Sequence, residues 1–222
     1  MTSSLQTDAF LPRRESMVRT QLLARGIRDE RVLGAMARVP RHEFVPEEYR
    51  EQAYEDHPLP IREDQTVSQP YIVAIMLEAL ALAPGDTVLE VGTGSGYVTA
   101  ILCELAKQVY SVERIPSLAQ SAKATITRLG YRNASIETGD GSQGLPERAP
   151  FDAIIVSAAA PRVPEALLAQ LREGGRMVIP VGPVQAQVLK LVRRHQGQMV
   201  IADLEGCRFV PLIGGQGYPS AS

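Results

Sequence analysis

The sequence predicts a doubly wound α/β fold, a mostly parallel sheet with helices on both faces, preceded by a helical extension and closed by an antiparallel hairpin. Three observations predict it. Thr87-Val88-Leu89-Glu90-Val91 reads as a buried parallel strand that runs into three alternating glycines, Gly92, Gly94 and Gly96, and then into a helix over 97–106. Two further short strands, 109–112 and 135–138, end in Glu113 and in Gly139-Asp140-Gly141, so three successive strands finish in an acid beside glycine or a turn. All three acids then lie on the C-terminal edge of one parallel sheet, where such folds bind ligands.

In chain order, Met1 to Pro12 reads as a flexible tail. Arg13 to Arg25 places Met17, Val18, Leu22 and Leu23 on one helical face, with Gly26 as the C-terminal cap. Asp29 caps a second helix carrying Val32, Leu33 and Met36, which Pro40 ends. Arg41 to Asp64 is irregular, with three prolines and the aromatics Phe44, Tyr49 and Tyr54, and reads as a loop-rich cover over the sheet edge. Ile72, Val73, Met76, Leu77 and Leu80 then recur at helical spacing after Pro70. Ser68, just ahead of that proline, reads from the pattern alone as a helix cap. Beyond the three acid-tipped strands, 151–156 is a fourth buried strand, 164–171 a helix, Gly174-Gly175 a turn and 176–181 a fifth strand. The runs 187–192 and 199–204 form a hairpin, and 209–213 a last strand.

Composition excludes several classes. With 222 residues and a net charge of −2, the chain has no clustered Lys and Arg, which argues against nucleic acid as an obligatory partner. The longest apolar helical run, 71–83, is interrupted by Glu78 and is too short to span a bilayer. Two cysteines, Cys103 and Cys207, suggest a reducing, cytoplasmic setting. The three histidines, His42, His57 and His195, are too scattered for a metal site and read as solvated loop residues, so no metal is expected.

The ligand is narrowed by what the loop lacks. A dinucleotide fingerprint wants G-x-G-x-x-G, whereas this loop is G-x-G-x-G and puts Tyr97 in the third glycine slot. An acid such as Glu90 would repel a pyrophosphate but suits a cationic ligand, such as the methionine part of S-adenosylmethionine. Glu113, 23 positions after Glu90, stands where a ribose-binding acid is expected.

Several segments carry a resemblance to a known family. Leu59-Pro60-Ile61, Gln65-Thr66-Val67-Ser68-Gln69-Pro70-Tyr71, Leu89 to Tyr97, Gly139-Asp140-Gly141, Phe151 to Val156, Gly174 to Gly182 and Arg208 to Gly214 together resemble the protein L-isoaspartate (D-aspartate) O-methyltransferase family. The resemblance runs from about Met17 to the C-terminus, and its Thr-x-Ser-Gln-Pro and Phe-Val-Pro-Leu segments are its most specific parts. It implies a Rossmann-like methyltransferase fold and an enzyme that moves a methyl group from S-adenosylmethionine to the α-carboxylate of an isoaspartyl residue. S-adenosylhomocysteine is the product, and the ester closes to a succinimide whose hydrolysis restores some aspartate. Carried over, Ser68 is the active-site serine, with Thr66 and Val67 beside it, and Val210 a main-chain contact for the peptide. Glu90 and the loop Gly92, Thr93, Gly94, Ser95 and Gly96 hold the methionine end, Glu113 with Arg114 the ribose, and Asp140 with Gly141 the adenine. The expected partners are damaged proteins and peptides, with no nucleic acid and no membrane, for a monomer. In domain terms, 13–222 is then one unit: a substrate-covering extension over 13–70, a cofactor-binding core over 71–182 and C-terminal strands over 183–222.

The implied chemistry accounts for so sparse a site. A carboxylate with a pKa of about 4 is already ionised at neutral pH, so no general base is required, only in-line placement and exclusion of water. One departure from the family stands out: where relatives often carry glycines before the Gln-Thr pair, this chain has Arg62-Glu63-Asp64. That segment keeps open an alternative, a sister enzyme methylating an aspartate of a dedicated peptide or another carboxylate. A non-catalytic module is disfavoured, because Glu90, Glu113 and Ser68 are all present.

Overall fold

A computed structural model describes residues 8–219. Helix α1, Leu11–Met17, starts with Pro12 in its first turn, where a missing N–H removes no helical bond. It continues through a π-turn, Val18–Leu22, and a 3-10 turn, Leu23–Arg25, and ends at Gly26 with φ 103. The helix therefore begins two residues before Arg13, and the part of the expected tail from Asp8 on is packed. Asp8 pairs with Arg14 at 2.7 Å, and the Phe10 ring stacks on His42 with centroids 4.2 Å apart. Met1 to Thr7 of the expected tail lie outside the described residues. The π-turn also shifts the helical register, so Met17 and Leu22 are buried while Leu23 faces solvent. In α2, Glu30–Arg38, the Asp29 carboxylate accepts from the N–H groups of Arg31 and Val32, the cap expected there.

The stretch 41–64 is irregular but not a loose cover. It makes two 3-10 turns, Arg41–Phe44 and Glu47–Gln52, then strand β1, Leu59–Pro60, pairs antiparallel with β2, Thr66–Val67. Phe44, Val45, Ala53, Tyr54 and Leu59 join the same buried cluster as α2 and α3. His42 departs from the solvated reading: it is buried, with Nδ1 2.7 Å from the Tyr54 hydroxyl, and desolvation lowers its pKa. Aromatic neighbours from distant segments took it inside, which local sequence does not show.

Helix α3, Pro70–Leu80, leads into β3, Thr87–Val91; α4, Tyr97–Leu105, into β4, Gln108–Glu113; and α5, Pro116–Arg128, into β5, Ala134–Thr138. Strand β6, Phe151–Val156, α6, Glu165–Ala169, and β7, Leu171–Val181, follow, then the hairpin of β8, Gln187–His195, and β9, Gln198–Cys207. The sheet order is β5-β4-β3-β6-β7-β8-β9, parallel from β5 to β7 and antiparallel at β7-β8-β9. Val88, Ala153 and Ile155 pack toward one layer and Leu89, Val91, Ile154 and Val156 toward the other, so β3 and β6 are buried on both faces. Chain order reverses between β3 and β6, which opens a crevice beyond their C-terminal ends.

Two expectations about the C-terminal third change. Gly174-Gly175 is not a turn before a strand but lies inside β7, where pairing to β6 jumps from Phe151↔Leu171 to Ala153↔Arg176. The bulge consumes the glycines, with Gly174 at φ 75. Residues 209–213 are not a strand. They cross the sheet's C-terminal end, with Ala159 N–H donating to the Val210 carbonyl at 2.8 Å and Leu212 N–H to the Ala159 carbonyl at 2.7 Å. No helix among the described residues is long and apolar enough to cross a membrane.

Candidate active site

The crevice beyond β3 and β6 is a cavity of about 230 Å³. One wall is the glycine loop, from which Gly92, Thr93, Gly94 and Ser95 face it. Gly92, Gly94 and Gly96 sit at φ 87, 54 and 89, the left-handed region that lets the loop fold back to the start of α4. Gly96 is the N-cap of α4 and stands behind the wall, where an added Cβ would meet Ala122 at 3.2 Å. Glu113 and Arg114, at the end of β4, form the second wall. The Glu113 carboxylate accepts from the N–H of Gly94 and from that of Ile115, both at 2.9 Å, and so ties the loop to the strand end.

Glu90 does not reach the cavity. Its side chain is fully buried on the α4 side of β3, where it accepts from Thr99 Oγ1 at 2.5 Å and Ser111 Oγ at 2.6 Å, and its other oxygen has no partner. Desolvation pushes its pKa up to about 7 against those two hydroxyls. Its link to the cavity is indirect: Ser111 Oγ is also 2.5 Å from Thr93 Oγ1, which lies on the glycine loop. The alternation of a strand explains this. Residues 89 and 91 face one layer and 90 the other, so an acid two positions before the loop points under it.

Asp140 likewise stands behind the wall that Gly141 lines. It accepts from Ser142 N–H and Oγ and from the N–H of Gly215, which anchors the C-terminal loop. Burial alone would raise its pKa, but those donors hold it below the usual carboxylate range. Gly141 has no room for a side chain, since a Cβ there would lie 2.6 Å from Val91 Cγ1. Backbone can therefore approach a flat ring at that edge without obstruction.

The remaining wall is built by segments far apart in sequence. Thr66, Val67 and Ser68 come from β2 and the turn into α3, and Val210 from the crossing C-terminal segment. Ser68 is not the helix cap: the N-cap is Gln69, and no side-chain bond caps α3. The Ser68 carbonyl accepts from Arg41 Nη2 at 2.8 Å, which holds the segment against the core. Asp64 also reaches the cavity. It and Glu63 adopt φ 54 and 60, so the Arg62-Glu63-Asp64 departure keeps a backbone path that glycine follows without strain.

Reading the sequence missed Tyr97, Ser157, Ala158 and Pro211, all of which line the cavity. Ser157 and Ala158 were findable, because they immediately follow β6 at the switch point. No histidine among the described residues lines it. The site fits S-adenosylmethionine on this structure's own terms: a backbone cradle with two left-handed glycines, Gly92 and Gly94, an acid at the end of the adjacent strand, and an edge that admits only glycine.

Residues 13–217 match the family model described as protein-L-isoaspartate(D-aspartate) O-methyltransferase (PCMT). A protein-L-isoaspartate O-methyltransferase of Koribacter versatilis is 56% identical over 221 residues, covering 100% of both chains. The enzyme of that name from Methanoculleus marisnigri is 52% identical, over 96% of this chain and 97% of its own. Among solved structures, a protein-L-isoaspartate O-methyltransferase superposes with a TM-score of 0.83 at 32% identity, over 92% of this chain and 67% of its own. One from Plasmodium falciparum in complex with S-adenosyl-L-homocysteine superposes with a TM-score of 0.79 at 30% identity, over 90% of this chain and 98% of its own.

Proposed function

The chain belongs to the protein-L-isoaspartate(D-aspartate) O-methyltransferase family, and from that membership we propose how its own residues share the work of methylating isoaspartyl residues. The activity is S-adenosylmethionine-dependent, with isoaspartyl-containing proteins and peptides as acceptors. When bound, S-adenosylmethionine supplies an electrophilic methyl group on a sulfonium centre.

Gly92 to Ser95 receive the methionine end through backbone, with Gly96 setting the turn into α4; Glu113, with Arg114, takes the ribose hydroxyls, and Gly141, braced by Asp140, faces the adenine. Glu90 contributes from beneath, as a buried acid whose hydrogen bonds run to Thr93 through Ser111. Thr66 and Ser68 orient the acceptor carboxylate by their hydroxyls, and the Val210 and Val67 surfaces confine the peptide. A hydroxyl holds a carboxylate oxygen without neutralising it, so its nucleophilicity is kept. Because the acceptor is ionised above about pH 4, no proton need be removed before attack. As the O–CH3 bond forms the S–CH3 bond breaks and S-adenosylhomocysteine leaves; the methyl ester then closes to a succinimide, with attack by the following backbone nitrogen and loss of methanol, outside any protein-catalysed step.

The observation that carries this reading is that Thr66 to Ser68, the glycine loop, Glu113, Gly141 and Val210 all face one cavity with no histidine among its described lining residues. A methyl-transfer assay with matched isoaspartyl and aspartyl peptides tests it. Label should enter the isoaspartyl peptide alone, and equal labelling of both would remove the assignment of Thr66 to Ser68 as an isoaspartyl seat.

A further inference from the structure

Arg41 is fully buried, and it heads the largest fully enclosed side chains of the protein. Its Nε donates to the Ala53 carbonyl at 2.8 Å and its Nη2 to the Ser68 carbonyl at 2.8 Å, while the guanidinium lies over the Tyr97 ring, 4.7 Å from the centroid. Among the described residues Nη1 makes no well-aligned hydrogen bond, and the Tyr97 hydroxyl lies beside it without aligning to it. A buried cation is normally matched by a carboxylate, because desolvating an unpaired charge is costly. Arg41 forms no ion pair among the described residues. The acid whose field it feels, Asp56, is paired with Arg25 instead. The protein thus keeps a positive charge without an ion-pair partner one hydrogen bond behind Ser68, between the substrate segment and Tyr97 at the start of α4.

We propose that Arg41 is a positioning residue for the methyl acceptor: it fixes the main chain at Ser68 against Tyr97 and supplies the positive charge that makes this end of the cavity select an ionised carboxylate. This rests on the reading of Thr66 to Ser68 as the carboxylate seat. Placement one layer back is what the chemistry asks for. A guanidinium in direct bidentate contact would draw electron density from the attacking oxygen, whereas the same charge behind a peptide group still attracts the anion. Arginine is required for both tasks at once, since its planar fork reaches two carbonyls while stacking on a ring, and a lysine keeps only the charge.

The experiment compares Arg41→Met, Arg41→Lys and Ser68→Ala in the full chain, with S-adenosylhomocysteine affinity measured by calorimetry. Arg41→Met should raise KM for an isoaspartyl peptide about tenfold or more, and Arg41→Lys should bring KM back to within about threefold while kcat stays low. Affinity for S-adenosylhomocysteine should be unchanged in both. Wild-type KM in folded Arg41→Met overturns the proposal, as do equal losses in the Met and Lys variants, the mark of packing alone. If Ser68→Ala is fully active, the seat reading fails; if Ser68→Ala is impaired and the Arg41 variants are not, only the Arg41 inference fails. Should Arg41→Met not fold, nitrogen NMR of the slowest-exchanging guanidinium in the unmutated protein decides. Its Nη signals should move with an isoaspartyl peptide and not with the α-carboxamide analogue, and identical responses overturn the proposal.

Discussion

The two walls of the cavity, one proposed for the cofactor and one for the acceptor, are built on different principles. The cofactor wall comes from consecutive strand-to-helix turns of a parallel sheet: Gly92 to Ser95 follow β3, Glu113 and Arg114 end β4, and Gly141 follows β5. Ladder hydrogen bonds in register fix the spacing of those turns. The substrate wall has no such frame. Thr66 to Ser68 hang from a two-pair ladder and from Arg41, and Val210 is held by a single isolated bridge region. Regular pairing across a long ladder therefore sets the proposed cofactor side, and a two-pair ladder, one isolated bridge and the Arg41 side chain set the acceptor side, which leaves the acceptor side more exposed to single substitutions.

Ser68→Asp should make the largest break between the two walls. It places a negative charge against the acceptor carboxylate and should reduce turnover by about 100-fold or more, a loss of roughly 3 kcal/mol in transition-state binding. Because Ser68 does not cap α3, thermal stability should stay near wild type, and S-adenosylhomocysteine binding should persist. An active Ser68→Asp in a peptide assay would show that the substrate wall lies elsewhere.

The second prediction tests the acid beneath the cofactor wall. The folded pKa of Glu90, about 7, lies above the ordinary carboxyl value of 4.5. The folded state thus binds the proton more tightly, and its contribution is complete below pH 4.5 and lost as pH rises through 7. The loss amounts to roughly 3 kcal/mol. Urea melts at about pH 5 and about pH 8 should show that drop in wild type and a smaller one in Glu90→Gln. Identical pH slopes would mean that Glu90 is ionised throughout.

Glu113→Ala sharpens the contrast from the cofactor side. It removes the acceptor of the Gly94 and Ile115 N–H groups, and should weaken S-adenosylmethionine binding by about 1.5–3 kcal/mol with little change in KM for the peptide. Calorimetry giving wild-type affinity in a folded variant would remove Glu113 from the ribose site.

The smallest effect is expected at the hairpin turn. Asp64 holds φ 54, so Asp64→Gly should relieve strain and raise stability by up to about 1 kcal/mol, less the entropy of an added glycine. A thermal melt reads the balance, and any marked loss would show that the Asp64 side chain itself braces the turn.

Sequence alone determined what depends on local order along the chain. Strand, glycine loop and helix are contiguous, acids at strand ends are found by counting, and a parallel sheet brings successive C-terminal ends to one edge, so the convergence of Gly92 to Ser95, Glu113 and Gly141 on one cavity was legible from residue order. The hairpin of β8 and β9 was legible for the same reason, its turn residues Gln196 and Gly197 lying between two alternating runs. What the tertiary structure decided were the matters that depend on which side of an element a residue faces or on what distant chain meets it. Strand pleating turned Glu90 under the loop, the Gly215 N–H drew Asp140 away from the cavity, Tyr54 and Phe10 enclosed His42, and Gln69 took the cap position assigned to Ser68. The burial of Arg41 belongs with these: its partners at Ala53, Ser68 and Tyr97 are 12, 27 and 56 positions away (53 − 41, 68 − 41, 97 − 41), and only the packed core makes them neighbours.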